Sequence, residues 1–262
     1  LTTYYKGMEI GEIWGFRTAG IYASNAEALN GPAYNFFKNG EMFRAYAGDL
    51  RFVDVDGDGI MTKGNRTLSN HGDMEIIGNQ SPRYQYSINM SLNWNGIGLS
   101  MLWQGVGKRD WYPWTESGFF WGKWNRAYNS LMKTQTGDRV VKIDKSTDNW
   151  RVTNMDKNPY WTRMVSLAAN RNDGPLTWEN DHYLQDASYI RLKNITLGYT
   201  LPKHISRHIG MEKGSVRVYL SIDNVATITG YSGTDPEVGN YGLDSGIYPT
   251  SRFFNFGVNI NF

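Results

Sequence analysis

The sequence predicts an all-β chain, an antiparallel up-and-down sheet of the kind that forms part of a transmembrane barrel. Three observations predict it. Apolar and polar residues alternate with period two in five segments, the links between those segments alternate short and long, and 10 Trp, 17 Tyr and 11 Phe sit in a chain of negative mean hydropathy. An all-β protein needs apolar residues on one face of each strand only, which reconciles aromatic richness with a polar average. No apolar run of about 18 residues is present for a transmembrane helix, whereas a barrel strand needs only about 9–11 residues with alternate ones apolar. The 27 basic and 25 acidic residues leave a net charge of +2, so nothing electrostatic calls for nucleic acid. The absence of cysteine excludes a disulfide framework and a thiolate metal site.

Taken in order, the opening stretch LTTYYKGMEIGEIW has neither the basic nor the apolar region of a secretory signal. We expect a removed signal, or a chain that begins inside something longer. EIGEIWGFRTAG is a weak strand candidate. Residues 20–82 then read as a loop, and DVDGDGI within it places Asp54, Asp56 and Asp58 at positions one, three and five of an EF-hand-like calcium loop, the Ile60 carbonyl at seven and Gly59 at six. Position twelve, ordinarily a bidentate Glu, is Asn65, which lowers charge and denticity. The plain alternative is an Asp/Gly-rich turn without an ion.

PRYQYSINMSLNWN is the strongest alternation. Tyr84, Tyr86, Ile88, Met90, Leu92 and Trp94 oppose Arg83, Gln85, Ser87, Asn89, Ser91 and Asn93. Asn95-Gly96 predicts a type I′ turn, and Ile97, Leu99, Met101 and Trp103 line one face of the returning strand. The link 105–186 holds Trp111, Trp114, Trp121, Trp124, Trp150, Trp161 and Trp178. Most should form the core of a long ordered loop, while Trp111, Trp114, Trp121 and Trp124 are the candidates to stack on a sugar or meet a protein partner. Ile195, Leu197, Tyr199 and Leu201 then oppose Asn194, Thr196, Gly198 and Thr200; Val216, Val218, Leu220 and Ile222 oppose Arg217, Tyr219, Ser221 and Asp223. His204 and His208 have i, i+4 metal spacing but lack the Glu of H-E-x-x-H, and read as solvated turn residues. After the loop 225–250 the terminal strand sets Phe254, Phe256, Val258, Ile260 and Phe262 against Asn255, Gly257, Asn259 and Asn261.

The links 95–96, 105–186, 202–214 and 225–250 run short, long, short, long. In a meander every second link lies at the same end, so all the long ones emerge together, as in outer-membrane barrels with short periplasmic turns and long extracellular loops. Trp94 and Tyr199 at the short ends, and Trp103 and Tyr189 at the long ends, would form two interfacial girdles. Phe262 would end the last strand at the periplasmic rim, where a terminal Phe serves as the assembly signal. No acyl-transfer, P-loop or dinucleotide fingerprint is present, and pairs such as Glu179 and Asp181 do not make a glycosidase site, so no enzymatic activity is expected.

GDLRFVDVDGDGIMT, EIIGNQSPRYQYSINMSLNWNGIGLSMLWQGVGKRDWY, YLQDASYIRLKNITLGYTLPK, VRVYLSIDNVATITGYSGTDPEV and YPTSRFFNFGVNINF resemble, in order, the carboxy-terminal part of SusC/RagA-like TonB-dependent outer-membrane transporters. The resemblance covers most of the chain and is weakest in the 105–186 link. It implies a 22-stranded barrel with a plugged lumen, a SusD-like surface lipoprotein as lid, energy from TonB, and import of oligosaccharides or peptides. The chain lacks the plug domain and the TonB box, and can supply about six to eight strands of about ten residues. Alone it would leave bare sheet edges in lipid, so the rest of the barrel and plug are expected partners, with the bilayer. The competing reading is a soluble β-rich carbohydrate-binding domain. The two differ on whether Tyr84, Ile88, Leu92, Leu197, Leu220, Phe256 and Ile260 face outward or fill a core.

Overall fold

The computed structural model describes residues 1–2, 4–35, 42–113, 133–164, 178–208, 210, 214–237, 248 and 250–261. They fall into two compact units. One is drawn from Leu1–Ser81 and Asp110–Gln185, the other from Pro82–Arg109, Asp186–Val238 and Gly246–Phe262.

The second unit carries a five-stranded antiparallel sheet. Its strands are Gln85–Trp94, Ile97–Val106, Tyr189–Thr200, Ser215–Thr229 and Phe253–Asn261, and each pairs with the next along the chain, so the topology is a plain meander. The period-two pattern fixes which face each residue takes, because a slip of one residue would turn every apolar side chain over. Leu92 faces Leu99, Leu99 faces Leu197, Leu197 faces Leu220 and Leu220 faces Phe256, a continuous apolar row across all five strands. The first turn is made by Asn95 and Gly96, both at positive φ (48° and 83°), as a type I′ turn requires. Links 95–96 and 201–214 lie at one end of the sheet, links 107–188 and 230–252 at the other.

The apolar row is not covered. Leu92, Leu197 and Phe256 are 65, 52 and 75 % exposed, and Tyr84, Ile88, Leu220 and Ile260 are exposed with them. These seven residues therefore do not build a core, as the soluble reading required.

The first unit is built from short strands around aromatic side chains. Glu12–Phe16 pairs with Met74–Asn79, and Thr18–Ile21 with Leu50–Phe52. The weak candidate EIGEIWGFRTAG thus forms strands, but they pair inside this unit and not in the five-stranded sheet. Phe16 stacks on Trp178 with ring centroids 4.6 Å apart, and Phe52 and Tyr34 pack on the same tryptophan. Trp178, Trp161 and Trp111 are all buried, so the long link supplies its own core and shares it with residues 1–81, as a long ordered loop needs. Asp49 and Arg163 join the two segments through a pair of hydrogen bonds of 2.5 and 3.0 Å. The one-turn helix Asn25–Leu29 is capped by Ser24, whose hydroxyl accepts from the Glu27 amide, while the Glu27 carboxylate accepts from the Ala23 amide.

Candidate functional site

The face of the sheet opposite the apolar row is polar and internally hydrogen-bonded. Asn194 donates to Ser221 and Asp223 at 2.8 and 2.6 Å, Thr196 donates to Asn194 and pairs with Ser221 at 3.0 Å each, and Asn255 donates to Asp223 at 2.9 Å. Tyr219 lies across Gly257, where an added Cβ would stand 2.3 Å from its ring. Arg217 likewise lies across Gly198, 2.5 Å from where a Cβ would be. Small residues on this face are thus the floor on which long polar side chains of the next strand lie.

Toward the long-link end the register shifts between Leu192 and Asn194 against both neighbouring strands. The extra residue reverses the facing of everything beyond it. Tyr189, expected in the outer aromatic girdle, therefore turns to the polar face with Arg191, and it is buried. Its hydroxyl donates to Glu237 at 2.8 Å. Arg191, 3 % exposed, donates to Asp235 at 2.6 Å, to Glu237 at 2.5 Å and to the Thr227 hydroxyl at 2.7 Å. Lys193 adds a second cation to Glu237 at 2.8 Å, and Arg109 donates to the Pro236 carbonyl at 2.9 Å. Burial would push the Asp235 carboxyl up, but Arg191, the Glu237 amide and the Thr250 hydroxyl together hold it below the usual carboxylate range. The turn Asp235–Glu237 is thereby strapped to the polar face.

Beside this strap is an open cavity of about 640 Å³ lined among others by Gln85, Ser87, Gln104, Arg109, Tyr189 and Glu237. Amides, hydroxyls, a guanidinium, a carboxylate and the rings of Tyr86 and Tyr189 suit hydrogen bonding and ring stacking. The strap escaped the sequence reading, although a signal was present. Apolar residues are even at Ile190 and Leu192 and odd from Ile195 onward, and that change of parity marks a bulge.

In the first unit Asp54, Asp56 and Asp58 come together as the spacing predicts, each offering a carboxylate oxygen within 4.8 Å of the others. The loop is shaped by its own carboxylates. Asp54 accepts from the amides of Gly57 and Gly59 at 2.7 Å each, and Asp58 from that of Ile60 at 2.7 Å. Gly57 and Gly59 sit at φ 76° and 82°, conformations that side chains disfavour. Asn65 lies in the following turn, its amide donating to the Asn70 carbonyl at 3.0 Å. The sequence reading missed Asp73. Fully buried, it accepts from the Val55 and Thr62 amides at 2.9 and 2.8 Å and so ties the two ends of the acidic loop together. An all-oxygen donor set of three carboxylates fits a hard divalent cation such as calcium.

Among the tryptophans proposed to meet a ligand, Trp111 is 3 % exposed and packs inside. Trp114, Trp121 and Trp124 lie outside the described residues, as does Phe262. His204 and His208 fall on a short helix, Lys203–His208, where a His208 ring nitrogen lies 2.8 Å from the His204 carbonyl.

No family model matches the chain. It is 28 % identical over 270 residues to the TonB-dependent receptor P3 of Formosa agariphila, an alignment covering 98 % of this chain and 22 % of that protein. To the TonB-dependent receptor SusC of Bacteroides thetaiotaomicron it is 31 % identical over 105 residues, 40 % of this chain and 10 % of that one. Among solved structures it superimposes on a chain of the RagAB peptide transporter with a TM-score of 0.51 and 19 % identity, over 96 % of this chain and 22 % of that chain. The RagAB peptide importer in its open-open state gives 0.50 and 18 %, over 100 % of this chain and 25 % of that chain. The chain thus spans about a fifth of the curated relatives it matches along its whole length.

Proposed function

Because this chain is of the SusC/RagA-like TonB-dependent transporter family, we propose that it is one section of an outer-membrane importer that takes up oligosaccharides or peptides with energy from TonB. The observation that carries this is the two-faced sheet. An apolar face exposed along five strands fits hydrocarbon, and a hydrogen-bonded polar face fits an aqueous or plugged lumen. In water the same apolar face would be a severe aggregation liability.

On this reading the two edges of the sheet pair with the remaining strands of the barrel, since unpaired backbone groups in lipid cost several kcal/mol each. Residues 20–82, 105–186 and 225–250 are extracellular, a SusD-like lipoprotein covers them, and Trp114, Trp121 and Trp124 meet the lid or cargo. The Asp54–Ile60 loop takes calcium in a structural role: the ion would neutralise three carboxylates and stiffen the loop.

The test is the intact mass and composition of the native complex extracted in detergent. A mass far above 29.9 kDa, with a plug-bearing segment and a lipoprotein present, is the expected outcome. A monomeric species of the chain's own mass, stable without detergent, would overturn the proposal.

A further inference from the structure

The link 201–214 contains LPKHISRHIG, which has two cationic and two imidazole side chains and no acid from Leu201 to Gly210. Four of them, Lys203, His204, Arg207 and His208, fall within six residues on the short helix Lys203–His208, all exposed. Lys203 and Arg207 are four apart, and so share one side of that helix. Among the described residues no carboxylate pairs with either.

The position of this cluster distinguishes it from an ordinary solvated turn. It lies at the short-link end of the sheet, where the outward face finishes in Trp94, Ile97 and Tyr199, all exposed and paired in register. The helix lies against the fourth strand. There Val216, outward-facing by register, is only 6 % exposed, whereas Ile260 directly across from it is 46 % exposed. The helix thus packs on the lipid side of the sheet and not over the lumen, with Ile205 exposed between the cations. Amphipathic aromatic rings at the end of an apolar wall, with lysine and arginine just beyond, mark the headgroup level of a bilayer.

We propose that the Lys203–Arg207 side of this helix is a binding site for an anionic phospholipid, with the headgroup phosphate held by the two cations and the acyl chains along the Trp94–Ile97–Tyr199 wall. The continuity of the cations with that wall is what favours a lipid over a soluble phosphate, which would gain nothing from it. The inference rests on the outer-membrane reading above and adds a lipid chemistry to it.

The experiment uses the full-length transporter reconstituted in phosphatidylcholine vesicles containing a minor fraction of phosphatidylglycerol. Lipids retained after detergent extraction are counted by native mass spectrometry. Wild type should retain phosphatidylglycerol in excess of its bulk fraction, and K203Q and R207Q should each lower that retention about fivefold, the effect of one basic side chain at an anionic surface. R252Q, at the long-link end of the fifth strand, should leave it unchanged, and K203R should preserve it. Retention at the bulk ratio, retention indifferent to K203Q and R207Q, or an equal loss in R252Q would each overturn the proposal. If the transporter failed to insert into the vesicles at all, the outer-membrane reading itself would fail, a result distinguishable from inserted protein without lipid preference.

Discussion

Replacing Arg191 by Met removes the cation that holds the Asp235–Glu237 strap. The side chains of Arg191 and Asp235 are 4 and 5 % exposed, so screening by solvent does not discount the pair. Met keeps the length and apolar bulk of the arginine stem and loses only the charge and its hydrogen bonds. Asp235 would retain the Thr250 hydroxyl at 2.8 Å and the Glu237 amide at 2.9 Å, and Glu237 would retain Lys193 and Tyr189. Breaking a buried pair from one side costs about 3–5 kcal/mol, and these surviving partners put the expected loss near the lower figure. The strap is local, so the loss falls on its docking and not on the whole sheet. A loss of about 3 kcal/mol raises the open population roughly 150-fold. The readout is hydrogen exchange of the Glu237 amide in the full-length protein, which should accelerate by that factor while the amides of Leu197 and Leu220 stay protected. Adding D235L should not restore the protection, because the Glu237 amide then loses the Asp235 oxygen to which it donates. Exchange within threefold of wild type in R191M, or full recovery in the double variant, would refute the reasoning.

Placing a charge on the apolar face by L220R should cost about 2–4 kcal/mol if Leu220 lies near the bilayer midplane, read as loss of the folded, heat-modifiable barrel; an unchanged yield would contradict a lipid-facing wall. At Gly257 an added methyl would meet the Tyr219 ring at 2.3 Å, so G257A should destabilise by about 1–3 kcal/mol and lower the Tm, and Y219S in the same chain should relieve it. Chelation of calcium should speed exchange at the amides of Gly57, Gly59 and Ile60, and D58N should make that exchange insensitive to chelator; equal exchange in both conditions would remove the ion. His182 stacks on Tyr160 at 5.2 Å and bonds its carbonyl at 2.7 Å, and burial holds the imidazole below its ordinary value. The unfolded chain then binds the proton more readily than the folded one. Stability contributed here is complete above about pH 6.5, begins to be lost as the pH falls below that value and is gone once the pH has passed the lowered pKa of the folded state, so a melt that weakens on acidification should lose part of its slope in H182Q.

How far the sequence could be read depended on the range of the interactions involved. The faces of the five strands, the Asn95–Gly96 turn, the alternation of link lengths and the convergence of Asp54, Asp56 and Asp58 were all legible. Each is set by neighbours within a few residues: a period of two, two residues at positive φ, or carboxylates spaced to turn a loop around their own amides. Tyr189 was misassigned because a single extra residue at the bulge reverses facing, and the period-two rule carries no warning of it unless the change in parity after Leu192 is counted.

The sequence alone thus determined that five of its strands each have one apolar and one polar face, since side-chain alternation is local and obligatory in a strand. Only the tertiary structure decided what joins across distance. Arg191 with Asp235 and Glu237, Asp73 across the acidic loop, and Trp178 against Phe16 are pairings between segments far apart in the chain. Such contacts depend on how loops close, and closure is governed by the whole fold and not by any neighbouring residue.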